Sequence, residues 1–443
     1  MFLRFTDASV RIMQRWLPDP LLFAIILSFI TFFAGILITG HSPMEMVVNW
    51  GEGFWGLLTF SMQMVLILVT GHTLASAPII KAWLRSLAKL AKTPTRAIML
   101  VTFVSAIACW INWGFGLVIG ALFARELARN IKVDYRLLIA AAYSGFLVWQ
   151  GGISSSVALA MATPANVVYD YVGIVPTNQS IFSGYNLLLV ALFIITLPFI
   201  NSAMHPKRDE DIVLVDPAKL EDAKEETKVA ETPAEKLENS RIISYVIGLA
   251  GLMFVVRHFI VNGFLLDLNL VNFMFLMLGI ILHGTPASFL KASSNAVRGA
   301  SGIVVQFPFY AGISGMMTGV SAATGLSLAA LITNGFVNVA TAQTLPFLTF
   351  ISAGLLNIFV PSGGGQWAVQ GPVIMPAAIE LGADSVRTAM ALAWGDAWTN
   401  MIQPFWALPA LAIAGLSARD IMGFLVSILI YSGIAIGIVL TFV

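Results

Sequence analysis

Apolar residues in this chain run in long blocks instead of alternating with polar ones. The blocks fall near residues 20–40, 54–77, 97–123, 137–165, 183–204, 242–263, 268–283, 300–319, 346–379, 388–415 and 421–443. A bilayer core takes roughly 20 apolar residues of helix to cross, so most blocks predict one crossing each. Four are interrupted in mid-block. Residues 97–123 contain Asn112-Trp113-Gly114-Phe115-Gly116, and 137–165 contains Gln150-Gly151-Gly152 followed by Ser154-Ser155-Ser156. Residues 346–379 contain Pro361-Ser362-Gly363-Gly364-Gly365-Gln366, and 388–415 contains Gly395-Asp396-Ala397-Trp398-Thr399-Asn400. Thr163-Pro164 and Gln403-Pro404 mark further breaks, read as structural. Residues 81–93 and 326–343 read as amphipathic helices in the interface. In the first, Lys81, Arg85, Lys89 and Lys92 recur three to four residues apart.

The two halves of the pattern repeat. Pro43 and Pro286 are 243 residues apart, as are Gln63 and Gln306; Asn112 lies near Asn357 at a shift of 245; Asp134 and Asp384, and Gly145 and Gly395, are 250 apart. Small insertions produce such a drift, and internal repeats of this kind mark secondary transporters. Between the halves lies a stretch from His205 to Arg241 with 11 acids and 7 bases in 37 residues, which reads as a solvated linker. The expected organisation is therefore a first membrane repeat at 1–204, a charged cytoplasmic linker at 205–241, a connecting helix at 242–263 and a second repeat at 264–443.

Charge orients the pattern. Arg4, Arg11 and Arg15 precede the apolar run at 21–39, which no small-residue cleavage site follows, so the N-terminus is expected in the cytoplasm and uncleaved. Lys81, Arg85, Lys89, Lys92 and Arg96 fill one loop, and Arg125, Arg129, Lys132 and Arg136 the next. Both should be cytoplasmic, which makes 97–123 a re-entrant hairpin with its tip at 112–116. Residues 321–345 carry no Lys or Arg, and 380–387 carry Arg387 against Glu380 and Asp384, so hairpin 346–379 should enter from outside. The expected fold is an all-α polytopic membrane protein. It has two inverted repeats with re-entrant hairpins and broken helices, about nine crossings plus two hairpins.

Composition agrees and narrows the function. Of 443 residues, 58% are hydrophobic and 11% charged, with a mean hydropathy of +0.87; soluble domains carry about 25% charged residues. A net charge of +1 offers no field for nucleic acid, and the single cysteine, Cys109, excludes a disulfide framework or a Cys-rich metal site. Neither HExxH nor a Walker loop nor GxSxG occurs, so no enzyme or resident cofactor is expected. The five histidines are scattered: His41, His205 and His283 at block ends, His258 beside Arg257, and His72 near an interface.

Irregular backbone at membrane depth must be buried or line a cavity. Two hairpin tips and two broken helices should thus meet near the midplane. Helix N-termini there suit a carboxylate, while free carbonyls and hydroxyls suit a small hard cation. The candidates are Asn112, Trp113, Gly114 and Gly116; Ser154, Ser155 and Ser156; Ser362, Gly363, Gly364, Gly365 and Gln366; and Asp396, Trp398, Thr399 and Asn400. Asp396 is the only acid inside a block of the second half. A carboxylate in the membrane is costly, which marks it for function: it takes a proton, or binds Na⁺ with Thr399 and Asn400. Packing accounts for Gly116, which forms a GxxxG pair with Gly120, as well as binding does. The serines serve the site or only bond to backbone. Gln63 and Gln306 are candidates by repeat position.

Long stretches then resemble a known family: RWLPDPLLFAIIL near the start, NWGEGFWGLLTFSMQMVLILVTGH at 49–72, INWGFGLVIGALFARELAR at 111–129, VQFPFYAGI at 305–313, VPSGGGQWAVQGP at 360–372, and QPFWALPALAIAGL with ARDIMG at 403–423. The chain resembles the bacterial short-chain fatty acid transporters of the AtoE type, within the wider ion-transporter superfamily, over all but the linker. The resemblance implies uptake of acetoacetate, butyrate and similar monocarboxylates across the inner membrane by a homodimer working as an elevator. A short monocarboxylate suits the tips, with Trp113, Phe115, Trp367 and Trp398 as walls for its tail. Cation-coupled symport with H⁺ or Na⁺ by alternating access is the leading expectation. An exporter or exchanger of other organic anions, a passive channel and an intramembrane enzyme are the competing ones.

Overall fold

A computed structural model describes residues 2–16, 18–56, 58–162, 166, 168–215, 232–263, 268–298 and 301–443. Thr163, Pro164 and the middle of the linker lie outside these. Every regular element among the described residues is a helix. The first half comprises α1 (Phe2–Trp16), α2 (Pro20–Thr39), α3 (Pro43–Gly53), α4 (Leu58–Ala75), α5 (Pro78–Ala88), α6 (Pro94–Ile111), α7 (Trp113–Asn130), α8 (Tyr135–Ser144), α9 (Ser156–Met161) and α10 (Gly184–Ala203). The second comprises α11 (Arg241–Asn262), α12 (Leu268–His283), α13 (Pro286–Arg298), α14 (Ser301–Thr318), α15 (Leu328–Val337), α16 (Leu345–Asn357), α17 (Gly363–Leu381), α18 (Ser385–Thr399), α19 (Leu408–Ala414) and α20 (Ala418–Phe442). Local chemistry starts them. Proline opens several first turns, where its missing N–H costs nothing. Ser42 and Glu45 form a capping box on α3, and Thr93 caps α6.

Six helices among the described residues are long and apolar enough to cross a membrane, or seven if the bent pair Ser61–Leu74 and Pro78–Ala88 counts as one span. The others explain why block counting gives a larger figure. The last turns of α7 carry Arg125, Glu126 and Arg129, and α16 has only 13 residues. α5 is amphipathic as expected: Leu84 and Ala88 are buried while Ile79 and Trp83 are exposed.

Two packing groups emerge, and each draws on both sequence halves. Helices α2, α3, α4 and α11 to α14 pack on one another. Hairpin α6–α7, hairpin α16–α17 and the broken helices pack as a second group, with α1 along α20. Contacts of α4 and α5 with α7, and of α14 with α15, join the groups. The repeat is visible as shared packing. A Cβ on Gly145 would strike Ser105 and Ala106 in α6, and one on Gly395 would strike Phe350, Ala353 and Gly354 in α16. Each broken helix thus crosses the first arm of its own hairpin with no room for a side chain. Asp134 and Asp384 likewise cap α8 and α18, accepting from the N–H groups of Leu137 (3.0 Å) and Arg387 (2.9 Å).

Three sequence expectations need correction in detail. Asn112 does not pair with Asn357: Asn112 is the N-cap of α7, whereas Asn357 ends α16. Its counterpart is Ser362, the N-cap of α17, at the same shift of 250 as the Asp and Gly pairs. The glycine run at 363–365 is no extended loop but the first turn of α17, with no left-handed residue in it. Finally, α18 continues through Asp396 to Thr399, and the break falls after it at 400–407, where Pro404 cannot prolong the helix.

Candidate functional site

Asp396 sits in the last turn of α18, fully buried. Its Oδ2 accepts a hydrogen bond from Nε2 of Gln150 at 3.0 Å, and its Oδ1 has no hydrogen-bond partner among the described residues. Gln150 lies in the tight 3₁₀ turn Gly145–Gly151 that breaks the span after α8. The same Nε2 donates to Ser156 Oγ (3.1 Å), while Oε1 accepts from Ser155 Oγ (2.8 Å). Ser155 in turn caps α9, accepting from the Ala158 N–H. One glutamine thus ties the acid to the serine cluster.

The second hairpin tip closes on this group. A Cβ on Gly363 would collide with Gln150 Nε2, lie 2.6 Å from Ser156 Oγ and 3.2 Å from Asp396 Oδ2. Glycine is required there by close approach, not by backbone conformation. Gly364, next in the turn, is exposed and among the described residues has only Ser156 Cβ near, at 4.0 Å. Ser362 accepts from the Gly365 N–H at 3.3 Å. Ser156, Ser362 and Gly365 are partly exposed. The first turn of α17 therefore presents N–H groups, two hydroxyls and open space above a buried carboxylate. That combination suits an anionic head group beside a cation or proton site.

Behind Asp396 the helix is held by Asn357. Its Nδ2 donates to the Asp396 carbonyl (2.9 Å), Thr399 Oγ1 (3.0 Å) and Asn400 Oδ1 (2.8 Å). Thr399 Oγ1 donates to the Gly354 carbonyl at 2.8 Å, and Tyr143 OH to the Asn400 carbonyl at 2.8 Å. Asn357 Oδ1 and Asn400 Nδ2 have no hydrogen-bond partner among the described residues. No cluster of three or more His, Cys, Asp or Glu that could hold a metal ion occurs among the described residues.

The first tip is joined to the same segment but is covered. Asn112 Oδ1 accepts from the Gly114 and Phe115 N–H groups, both at 3.1 Å, and the Trp113 N–H donates to Ser154 Oγ at 3.0 Å. Residues 150–156 thus lie between the tips. Gly116 packs on Cys109 within its own hairpin. Trp113 belongs to an aromatic cluster with Trp149 (6.2 Å) and Trp406 (5.2 Å), and Phe146 stacks on Trp149 at 5.4 Å. At the repeat shift of 250, Phe146 corresponds to Asp396, so the first half has an aromatic ring where the second has an acid.

Other candidates fall elsewhere. Gln366 spends its Nε2 on the Ala353 carbonyl and Gln370, binding the arms of its hairpin together. Trp398 donates to the Leu429 carbonyl of α20 at 2.7 Å, and Trp367 to Asn166 at 3.1 Å. Phe115 packs on Phe275. Each of the four expected pocket walls thus has packing or hydrogen-bond partners of its own. Gln63 bonds Asn269 in the α4–α12 contact. Gln150 and Asn357 were missed as site residues: Gln150 stood in a recognised break, but nothing in the sequence showed that an amide six residues from Ser156 would reach Asp396.

The profile of a family described as "Short chain fatty acid transporter" matches residues 1–443. A protein of Escherichia coli (strain K12), provisionally named a short-chain fatty acid transporter, is 48% identical over 442 residues, 99% of each chain. One of Haemophilus influenzae, named in the same way, is 47% identical over 444 residues, 98% of each chain. Among solved structures, the chain is similar to the YdaH transporter of Alcanivorax borkumensis, whose topology is described as unusual (TM-score 0.44, 16% identity, 95% of this chain and 98% of that one). It is also similar to Neisseria gonorrhoeae MtrF, described within a class of antimetabolite efflux pumps (TM-score 0.41, 14% identity, 100% and 97%).

Proposed function

We propose that this chain, which belongs to the short-chain fatty acid transporter family, carries butyrate, acetoacetate and similar monocarboxylates across the bacterial inner membrane by cation-coupled symport. The chain is a multi-pass membrane protein and its family is one of transporters, not enzymes. The single observation that carries the coupled reading is the buried Asp396, held by Gln150 beneath Gly363 with its second oxygen unpaired among the described residues. An isolated buried carboxylate is too costly to be kept for packing, so a proton or Na⁺ compensates it during part of the cycle. The substrate carboxylate docks on the N–H group of Gly364 and the hydroxyls of Ser156 and Ser362. The cation then offsets the Asp396 charge, so the loaded site carries the single charge of the substrate and crosses at lower electrostatic cost than with two uncompensated carboxylates.

In this reading the two sequence repeats are inverted, the linker and the N-terminus lie in the cytoplasm, and access alternates between the two faces, with the chain acting as a homodimer. The mixed origin of each packing group supports this, since a hairpin from each half flanks the 150–156 segment. The test is uptake of radiolabelled butyrate and acetoacetate into proteoliposomes under an imposed Na⁺ gradient and an imposed pH gradient in turn. Accumulation above equilibrium under one gradient is expected. Equilibration alone under both would point to a facilitator and refute coupling.

A further inference from the structure

The proposed inverted topology places 40–56, 168–183 and 319–344 on the outer face. These stretches contain no Lys or Arg, and they hold Glu45, Glu52 and Asp170. An anionic substrate arriving from outside meets acids there, and like charges lower its local concentration. Arg387 is the cation that the second packing group offers on this face. Arg257 and His258 lie on α11, in the other group.

Arg387 stands in the first turn of α18, and Asp396 in the last turn of the same helix. Nine residues separate them, about 14 Å of helix. The guanidinium carbon lies 5.0 Å from the ring centre of Tyr185, at the start of α10. Tyr185 in turn packs on an apolar cluster that holds Val157 of α9, Met375 of α17 and Met390 of α18. These are the three helices that carry Ser156, Gly363 and Asp396. Asp384 accepts from the backbone N–H of Arg387 at 2.9 Å, not from its side chain. Among the described residues no carboxylate forms an ion pair with the guanidinium. Arg387 Nε is buried without a hydrogen-bond partner among the described residues, and so is the Tyr185 hydroxyl, which has Ser183 beside it.

A guanidinium stacked on an aromatic ring gives up one face but keeps its N–H edge, which matches the two oxygens of a carboxylate. We propose that Arg387, braced by Tyr185, is an outer capture station for the substrate carboxylate, which it holds before the acid reaches the Gly364 tip. A charge at the rim of a site acts chiefly on the rate of association and its salt dependence. The station rests on the proposed carboxylate transport and on its topology.

The test is butyrate uptake by the full chain in right-side-out membrane vesicles, where reagents added outside reach the outer face. Rates are measured against butyrate concentration at low ionic strength and again with added choline chloride. Arg387→Gln should raise KM at least about tenfold at low salt, the cost of losing a charged hydrogen bond. The maximal rate should stay unchanged, because saturating butyrate makes the station dispensable. Choline chloride should narrow the KM gap, since about 0.1 M salt cuts the Debye length to ~10 Å. Arg387→Lys should fall between, keeping the charge but not the fork. Arg387→Cys should behave like Arg387→Gln, and should recover with trimethylammonium-ethyl methanethiosulfonate but not with the sulfonato-ethyl reagent. Both reagents are membrane-impermeant, and the buried Cys109 adds little background. The two reagents also decide the matter should Arg387→Gln not fold. An unchanged KM at low salt, a shift that salt does not touch, a lower maximal rate alone, or equal effects of the two reagents would overturn the station while leaving carboxylate transport in place. No butyrate uptake by the unaltered chain would instead overturn the transport reading, and the station with it.

Discussion

Asp396 Oδ2 depends on a single amide, Nε2 of Gln150, among the described residues. Replacing Gln150 by Leu leaves the whole carboxylate unsupported. A hydrogen bond to a charged group contributes about 1.5–3 kcal/mol, so the unsupported carboxylate should hold its compensating cation about 10- to 100-fold more tightly. The readout is the half-saturating Na⁺ or H⁺ concentration for uptake; an unchanged value would remove Gln150 from the site. The neighbouring glycines give a sharper contrast. Gly363→Ala puts a methyl into Gln150 and Ser156 and should cost about 1–3 kcal/mol in stability by overpacking. Gly364→Leu meets open space, so the protein should fold with an unchanged midpoint and lose butyrate binding, because leucine fills the room the substrate needs. Equal butyrate affinity in that variant would exclude this tip. Asp396 and the serine and glycine tips stand out in the sequence because an acid or a glycine run inside an apolar block violates the block's own logic. Gln150 and Asn357 do not, since an amide in a break looks the same whether it caps a turn or orients an acid 246 residues away.

The elements themselves were largely foreseeable, their ends less so. Apolar blocks, prolines and capping residues mark where helices begin, but the breaks shifted. The glycines after Ser362 and the Gly-Asp pair of α18 proved helical, because packing against the neighbouring helix, not backbone freedom, demands the small residue. Gly395→Ala should accordingly destabilise by about 1–3 kcal/mol although alanine favours helix. The start of α3 offers a pH test. Glu45 accepts from the Ser42 and Ala322 N–H groups, which hold its carboxyl below the ordinary value of 4.5. A lowered value means that the stabilisation is present above 4.5 and disappears as pH falls through the folded value. Glu45→Gln should therefore lower the thermal midpoint at neutral pH, with the difference shrinking under acid conditions; a gap independent of pH would show that the charge plays no part.

At the scale of the whole molecule, the proposed inversion makes a directional claim. Cys109 is buried in α6, so it gives little background for thiol labelling. Cysteines introduced at 225, in the linker, and at 340 should label from opposite sides of the membrane, and labelling from one side would contradict inverted repeats. The two-fold pattern was legible in the sequence, but the interleaving of the halves into two packing groups was not, because it depends on which hairpin crosses which helix. The central claim is that Asp396 carries the coupling ion, and one measurement addresses it most directly. In proteoliposomes, Asp396→Asn should lose butyrate accumulation driven by the coupling gradient yet retain exchange of labelled for unlabelled butyrate, because the neutral amide stands in for the compensated acid. Full gradient-driven accumulation by Asp396→Asn would contradict the account.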